Sequence, residues 1–150
     1  MINTAKHFFS KPEKEEITAS LKAFEKQTSG EIRVHIETHC HGDVLDRAAT
    51  VFEKLGMIKT KERNGILFYL AINDRKFAII GDAGINKHVT EDFWETVKSK
   101  MLDHFKEGKF SNGLIEGIEM AGNELKKYYP FSTGDQNELP DDISFDNEEK

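Results

Sequence analysis

Cysteine is almost missing from this chain. Cys40 stands alone among 150 residues, which excludes an internal disulfide framework and leaves burial of apolar surface to hold the fold. A lone thiol fits a reducing compartment. No apolar run approaches the roughly 18 residues that span a bilayer. The N-terminal stretch MINTAKHFFSKPEKEE has no apolar segment of the secretory-signal kind. These absences predict a cytoplasmic protein with no membrane span. A cationic excess is missing too: 21 basic residues face 27 acidic ones. The imbalance sits in residues 131–150, with seven acidic residues against Lys150, so residues 1–130 carry 20 of each sign. A neutral body without a basic stripe argues against nucleic acid as a partner. There is also no GxSxG, no GxxxxGKS, no HExxH and no credible Ser/His/Asp order, so nucleophilic catalysis has no candidate.

What the chain does have is organised around residues 64–84, NGILFYLAINDRKFAIIGDAG. Ile66 to Ile72 is uncharged and apolar on both faces, the pattern of a strand covered on both sides. Asn73-Asp74-Arg75-Lys76 supplies turn chemistry, and Phe77 to Ile80 returns as a second strand. The spacing predicts a central β-hairpin with helices over both faces.

Upstream, Ser10-Lys11-Pro12 with Glu13 opens a helix whose buried face is Ile17, Leu21 and Phe24. Glu31 to Thr38 alternates, with Ile32, Val34 and Ile36 inward and Arg33, His35 and Glu37 opposite. That predicts a half-buried strand, less central than the hairpin. A second helix is expected over about Leu45 to Leu55, capped by Gly56. Strand, helix, strand favours a right-handed crossover, so the Glu31 and Ile66 strands should run parallel. Thr90 caps a third helix carrying Phe93, Val97, Met101 and Phe105. A fourth runs from about Asn112 to Tyr128 and stops at Pro130. The predicted class is α/β: a three-layer α/β/α sandwich with a small mixed sheet, a central hairpin and four or so helices. Residues 1–130 form the domain. Residues 131–150 form an acidic tail, read as an extended strap pinned at Phe131, Leu139, Ile143 and Phe145.

The layout resembles the TPM domain, named for a thylakoid lumen protein, a photosystem repair protein and a nicotinic-receptor modulator. The resemblance rests on Ser29-Gly30-Glu31 opening a strand, Asn64-Gly65-Ile66-Leu67 opening the hairpin and Gly81-Asp82-Ala83-Gly84-Ile85 closing it. Phe93 to Met101, Phe105-Lys106-Glu107-Gly108 and Gly113-Leu114 extend it, over about residues 11–130. It implies an α/β/α sandwich, divalent-metal binding in some members and an acid phosphatase activity in the plant branch. Without signal peptide or anchor, the chain looks like the stand-alone, soluble bacterial type. It departs from the usual pattern at Arg63-Asn64-Gly65, where Asp-Asn-Gly is common.

If the strand directions hold, one rim of the sheet gathers Glu31, Arg63, Asn64 and Asp82, with Glu91 and Asp92 close. Carboxylates with an amide oxygen suit a hard cation, Ca²⁺ or Mg²⁺ ahead of Zn²⁺. Glu31, Asn64 and Asp82 are therefore the candidate metal ligands, and Arg63 the candidate anion-binding residue. The bland alternative has Asp82 bonding amides of its own turn, Asn64 capping one and Arg63 neutralising Asp82. His39 and His41 flank Cys40 with chemistry suited to Zn²⁺ or Cu²⁺, but a solvent-exposed loop is the better reading. His35 reads as a packed or ion-paired histidine, and Arg47 as a salt-bridge partner of a neighbouring helix.

Three functions remain open. The first is a monomeric binding or regulatory module holding a divalent ion and recognising an unidentified protein or an anionic small molecule. The second, by resemblance alone, is a metal-assisted acid phosphatase acting on phosphomonoesters. The third is a protein-interaction module that uses the acidic tail.

Overall fold

The computed structural model describes residues 4–131 and 143–146. Strands β1 (Glu31–Glu37), β2 (Gly65–Ala71), β3 (Lys76–Gly81) and β4 (Ser144–Phe145) form one sheet in the order β3-β2-β1-β4. β1 and β2 are parallel, pairing Glu31 with Gly65 through to Glu37 with Ala71, as the crossover argument expects. β2 and β3 form the antiparallel hairpin, from Ile66 opposite Gly81 to Ala71 opposite Lys76.

The helices are α1 (Ala5–Phe8), α2 (Lys11–Glu25), α3 (Val44–Lys54), α4 (Ala83–Asn86), α5 (Glu91–Lys106) and α6 (Phe110–Tyr128). Two of these, α1 and α4, are single turns that no 3.6-residue pattern could announce. Where sequence gave strong stops and starts, the ends agree. Ser10 and Glu13 form a reciprocal capping box on α2, and Thr90 caps α5 through the amide of Phe93.

Alternation along the strands divides the core in two. Ile32, Val34 and Ile36 with Ile66, Phe68 and Leu70 pack with residues of α2, α5 and α6. Leu67, Tyr69, Ala71 and Ala78 pack on the other side with Ala48, Val51 and Phe52 of α3 and with Met57, which the charged-looking connection after α3 buries completely. Helix, sheet, helix is the three-layer sandwich. On α6, Gly122 lets the ring of Phe24 lie flat against the helix: an added Cβ would stand 2.5 Å from that ring.

Burial across the sheet corrects one expectation. All seven residues of β1 are buried, Arg33, His35 and Glu37 included, whereas β3 is the partly exposed edge. β1 is interior because β4 covers its far side: Ser144 and Phe145 pair in parallel with His35 and Ile36, and the Asp146 amide donates to the Ile36 carbonyl. Ile143 and Phe145 pack against the core, while the Phe131 side chain, expected as a pin, is exposed. Leu139 lies outside the described residues.

Candidate functional site

The rim where β1 and β2 begin is also where β3 ends. Backbone bonds fasten it in register: the Glu31 amide donates to the Asn64 carbonyl at 3.4 Å, and the Asp82 amide to the Gly65 carbonyl at 3.0 Å. Asp82 and Glu31 therefore lie on either side of β2, two strand spacings or about 10 Å apart along the backbone. Glu31, Asn64 and Asp82 are all buried.

The expected residues do not all meet in the same way. Arg63 takes Asp82 in a fork, with Nε to Oδ2 at 2.7 Å and Nη2 to Oδ1 at 2.8 Å. The Asp82 Oδ1 also accepts from the Ala83 amide at 2.7 Å, which caps α4. Both components of the bland alternative for Arg63 and Asp82 are thus present. The guanidinium is half-exposed while its carboxylate partner is 7 % exposed. The fork raises the Arg63 pKa, first through the hydrogen bond and then through the charge of Asp82.

The turn carrying Arg63 is held from behind. Arg63 has φ of 53°, a left-handed conformation that costs a non-glycine residue. Its carbonyl accepts from the Gly84 amide at 2.7 Å. A Cβ on Gly84 would come within 2.1 Å of the Glu62 carbonyl oxygen, so no side chain fits there. Tyr129 at the end of α6 donates its hydroxyl to the Gly84 carbonyl at 2.8 Å. Asn86 donates to the Gly81 carbonyl and accepts from the Trp94 indole. Both turns of the rim are thereby tied to α4, α5 and α6.

The donor chemistry suits a hard cation on one condition. Asp82 offers a carboxylate already directed at a positive charge, but Arg63 supplies that charge now. Among the described residues no cluster of three or more His, Cys, Asp or Glu side chains forms a metal-holding group. Glu91 and Asp92 lie in the first turn of α5 and enter none of the rim hydrogen bonds given above. At the opposite rim, His39 is exposed and bonds Asp74 through Nδ1 at 3.2 Å, with the His41 ring 6.1 Å away.

A second polar cluster was not legible in the sequence. On the buried row of β1, Glu37 accepts from the Tyr69 hydroxyl at 2.6 Å, from Arg47 Nε at 2.9 Å and from Arg47 Nη2. His35 Nε2 stands 3.1 Å from Oε2 of the same carboxylate, the oxygen that also accepts from Arg47 Nη2. Burial alone would push the Glu37 carboxyl up. The hydrogen bonds from His35, Arg47 and Tyr69, with the charge of Arg47, outweigh it and hold the group well below the usual carboxylate range. Arg47 therefore pairs with a strand rather than with a neighbouring helix. The pattern signal was there as alternation, but nothing local said that the polar face would be covered.

A family profile described as the TPM domain matches residues 2–124. Among solved structures, the chain is similar to the BA42 protein from the psychrophilic bacterium Bizionia argentinensis. The two share 46% identity and a TM-score of 0.86, over 93% of this chain and 96% of that one. It is also similar to the N-terminal domain of a protein from P. gingivalis, at 20% identity and a TM-score of 0.68, covering 79% and 77% of the two chains. The N-terminal domain of the cg2496 protein from Corynebacterium glutamicum gives 14% and 0.62, covering 79% and 74%. These last two likenesses concern the fold alone. No curated protein matches the chain.

Proposed function

This chain belongs to the TPM domain family, and we propose that it is a binding module holding a Ca²⁺- or Mg²⁺-type ion at the rim of Glu31, Asn64 and Asp82. One observation carries the reading: a buried carboxylate, Asp82, is directed at a cationic group that itself remains half-exposed. A side-chain cation in that position is displaceable in a way that a buried one is not. Asp82 and Glu31 would give carboxylate oxygens and Asn64 an amide oxygen, the donor types that hard divalent ions take. The ion would supply charge neutralisation at the rim. Arg63, freed from Asp82, would present its planar fork to an anionic ligand, a phosphoryl or carboxylate group. No helix of the described residues is long and apolar enough to cross a membrane.

The test is a titration of Ca²⁺, Mg²⁺ and Zn²⁺ followed by backbone amide shifts. Movement at residues 30–31, 64–65 and 81–84 is the expected result. Movement confined to residues 39–41 would overturn the placement. Turnover of an aryl phosphate, abolished in Asp82→Ala with the fold intact, would move the reading to a metal-assisted phosphatase. Partner binding that disappears on deleting residues 131–150 would move it to the acidic tail.

A further inference from the structure

We propose that His35 is a proton-operated latch for the C-terminal strap: its protonation adds a hydrogen bond that fastens β4 to β1. This goes beyond the cation reading and involves a different part of the sheet.

The geometry is a chain of three contacts. His35 Nε2 is 3.1 Å from Glu37 Oε2, His35 Nδ1 is 2.7 Å from Ser144 Oγ, and Ser144 Oγ is 3.2 Å from the Val34 carbonyl. Glu37 is held ionised, so its oxygens only accept, and His35 Nε2 must carry a hydrogen. The other nitrogen then decides the state of the strap. In neutral His35, Nδ1 is an acceptor and takes the single hydroxyl hydrogen of Ser144. The Val34 carbonyl then loses that donor. In protonated His35, Nδ1–H donates to Ser144 Oγ, and the hydroxyl hydrogen is released to Val34. All three contacts are complete only in the protonated form.

Charged and titratable groups face His35 from every element packed around it. On β1 the neighbours are Glu37 and, two residues away on the same face, Arg33. From β2 the Tyr69 ring stacks at 6.1 Å. From α3 comes Arg47, whose charge is spent on Glu37 through two bonds. Beyond Ser144, β4 brings Asp146, whose Oδ2 accepts from the Thr38 amide at 2.9 Å, and α2 sets the Lys14 ammonium 5.4 Å from the centre of the Phe145 ring. Burial and the bond to Glu37 push the Tyr69 hydroxyl pKa up, so Tyr69 keeps its proton and remains a donor to Glu37.

The strap carries Asp146, whose carboxylate accepts from the Thr38 amide, so the latch links proton concentration to the docking of that carboxylate beside the end of β1. The direction follows from the proton count: the docked strap with all three contacts holds one more proton, so docking is strongest at low pH and weakens once the imidazole gives that proton up.

The experiment is hydrogen exchange of the Asp146 amide, which donates to the Ile36 carbonyl, between pH 5.5 and 8, corrected for intrinsic rates, alongside ¹⁵N shifts of the His35 ring. Protection about tenfold greater at pH 5.5 than at pH 8 is expected, the scale of one added hydrogen bond. The ring shifts should report both nitrogens protonated at the low end. Ser144→Ala leaves the body of the domain folded and should abolish the pH dependence of the Asp146 amide. Protection that does not change with pH, a ring that stays neutral throughout, or a pH dependence that survives Ser144→Ala would each overturn the latch.

Discussion

Arg63 and Asp82, nineteen residues apart, face each other across the rim in a two-point ion pair whose arginine sits in left-handed backbone. The strain is tolerated because the same turn is bonded to Gly84 through the Arg63 carbonyl. A side chain and a main-chain bond thus join the two turns on which the proposed cation site depends.

Arg63→Asn separates those two bonds. Asparagine accepts left-handed backbone better than most residues, so the turn survives while the guanidinium is removed. If the arginine competes with a metal ion for Asp82, calcium affinity should tighten by roughly an order of magnitude, the scale of one charge-assisted pair. Calorimetric titration of both proteins measures it, and unchanged or weaker binding would refute the competition.

Gly84→Ala should disorganise the rim. Its Cβ would meet two backbone carbonyl oxygens, at 2.1 and 2.5 Å, and neither can rotate away as a side chain would. A loss of about 3 kcal/mol in urea unfolding is expected. The amide shifts of residues 62–65 should change most.

Gly122→Ala tests packing against propensity. In an open helix the change would stabilise by up to about 1 kcal/mol. Here the new methyl would stand 2.5–2.6 Å from three atoms of the Phe24 ring. Destabilisation by about 1–3 kcal/mol is therefore the expected sign and size, read from denaturant midpoints.

Glu37 gives the domain a defined acid sensitivity. Its carboxyl is held low in the folded state and ordinary in the unfolded one, so the unfolded chain binds the proton first. Its stabilising contribution is complete above about pH 4.5 and falls as pH drops below that, by about 2 kcal/mol at pH 3. Urea unfolding across that range should show Glu37→Gln less stable than wild type at pH 7 but with a shallower loss toward acid. Parallel pH curves would show that the cluster around Glu37 does not act as described.

Tyr69→Phe isolates one member of that cluster. It removes the 2.6 Å bond to Glu37 and leaves the ring in place. A loss of about 1–2 kcal/mol is expected, since the carboxylate keeps Arg47 and His35.

The rim was partly legible in the chain. Three glycine-bearing turns, with parallel and antiparallel strand directions, put Glu31, Asn64 and Asp82 at one end of the sheet. Nothing in the spacing could say that Arg63 would fold back on Asp82 rather than face an incoming anion. That choice depends on a left-handed turn and on Gly84 approaching from another element. The buried row of β1 escaped for a similar reason: alternation shows which residues share a face, not what lies over it.

The sequence by itself determined local conformation, because caps, breakers and periodicity act over a few residues: the capping box at Ser10, the start of α5 at Thr90, the hairpin at Asn73 to Lys76. It also determined the two-sided burial of β2, since a strand without charged positions and with large apolar bodies on both faces has no face to give to water. Tertiary structure decided whether the charged side chains are exposed or enclosed. Burying Glu37 requires donors from β1, β2 and α3 at once, and enclosing β1 requires a two-residue strand from the far end of the chain. Such compensation is long-range electrostatics, and it exists only after the elements have met.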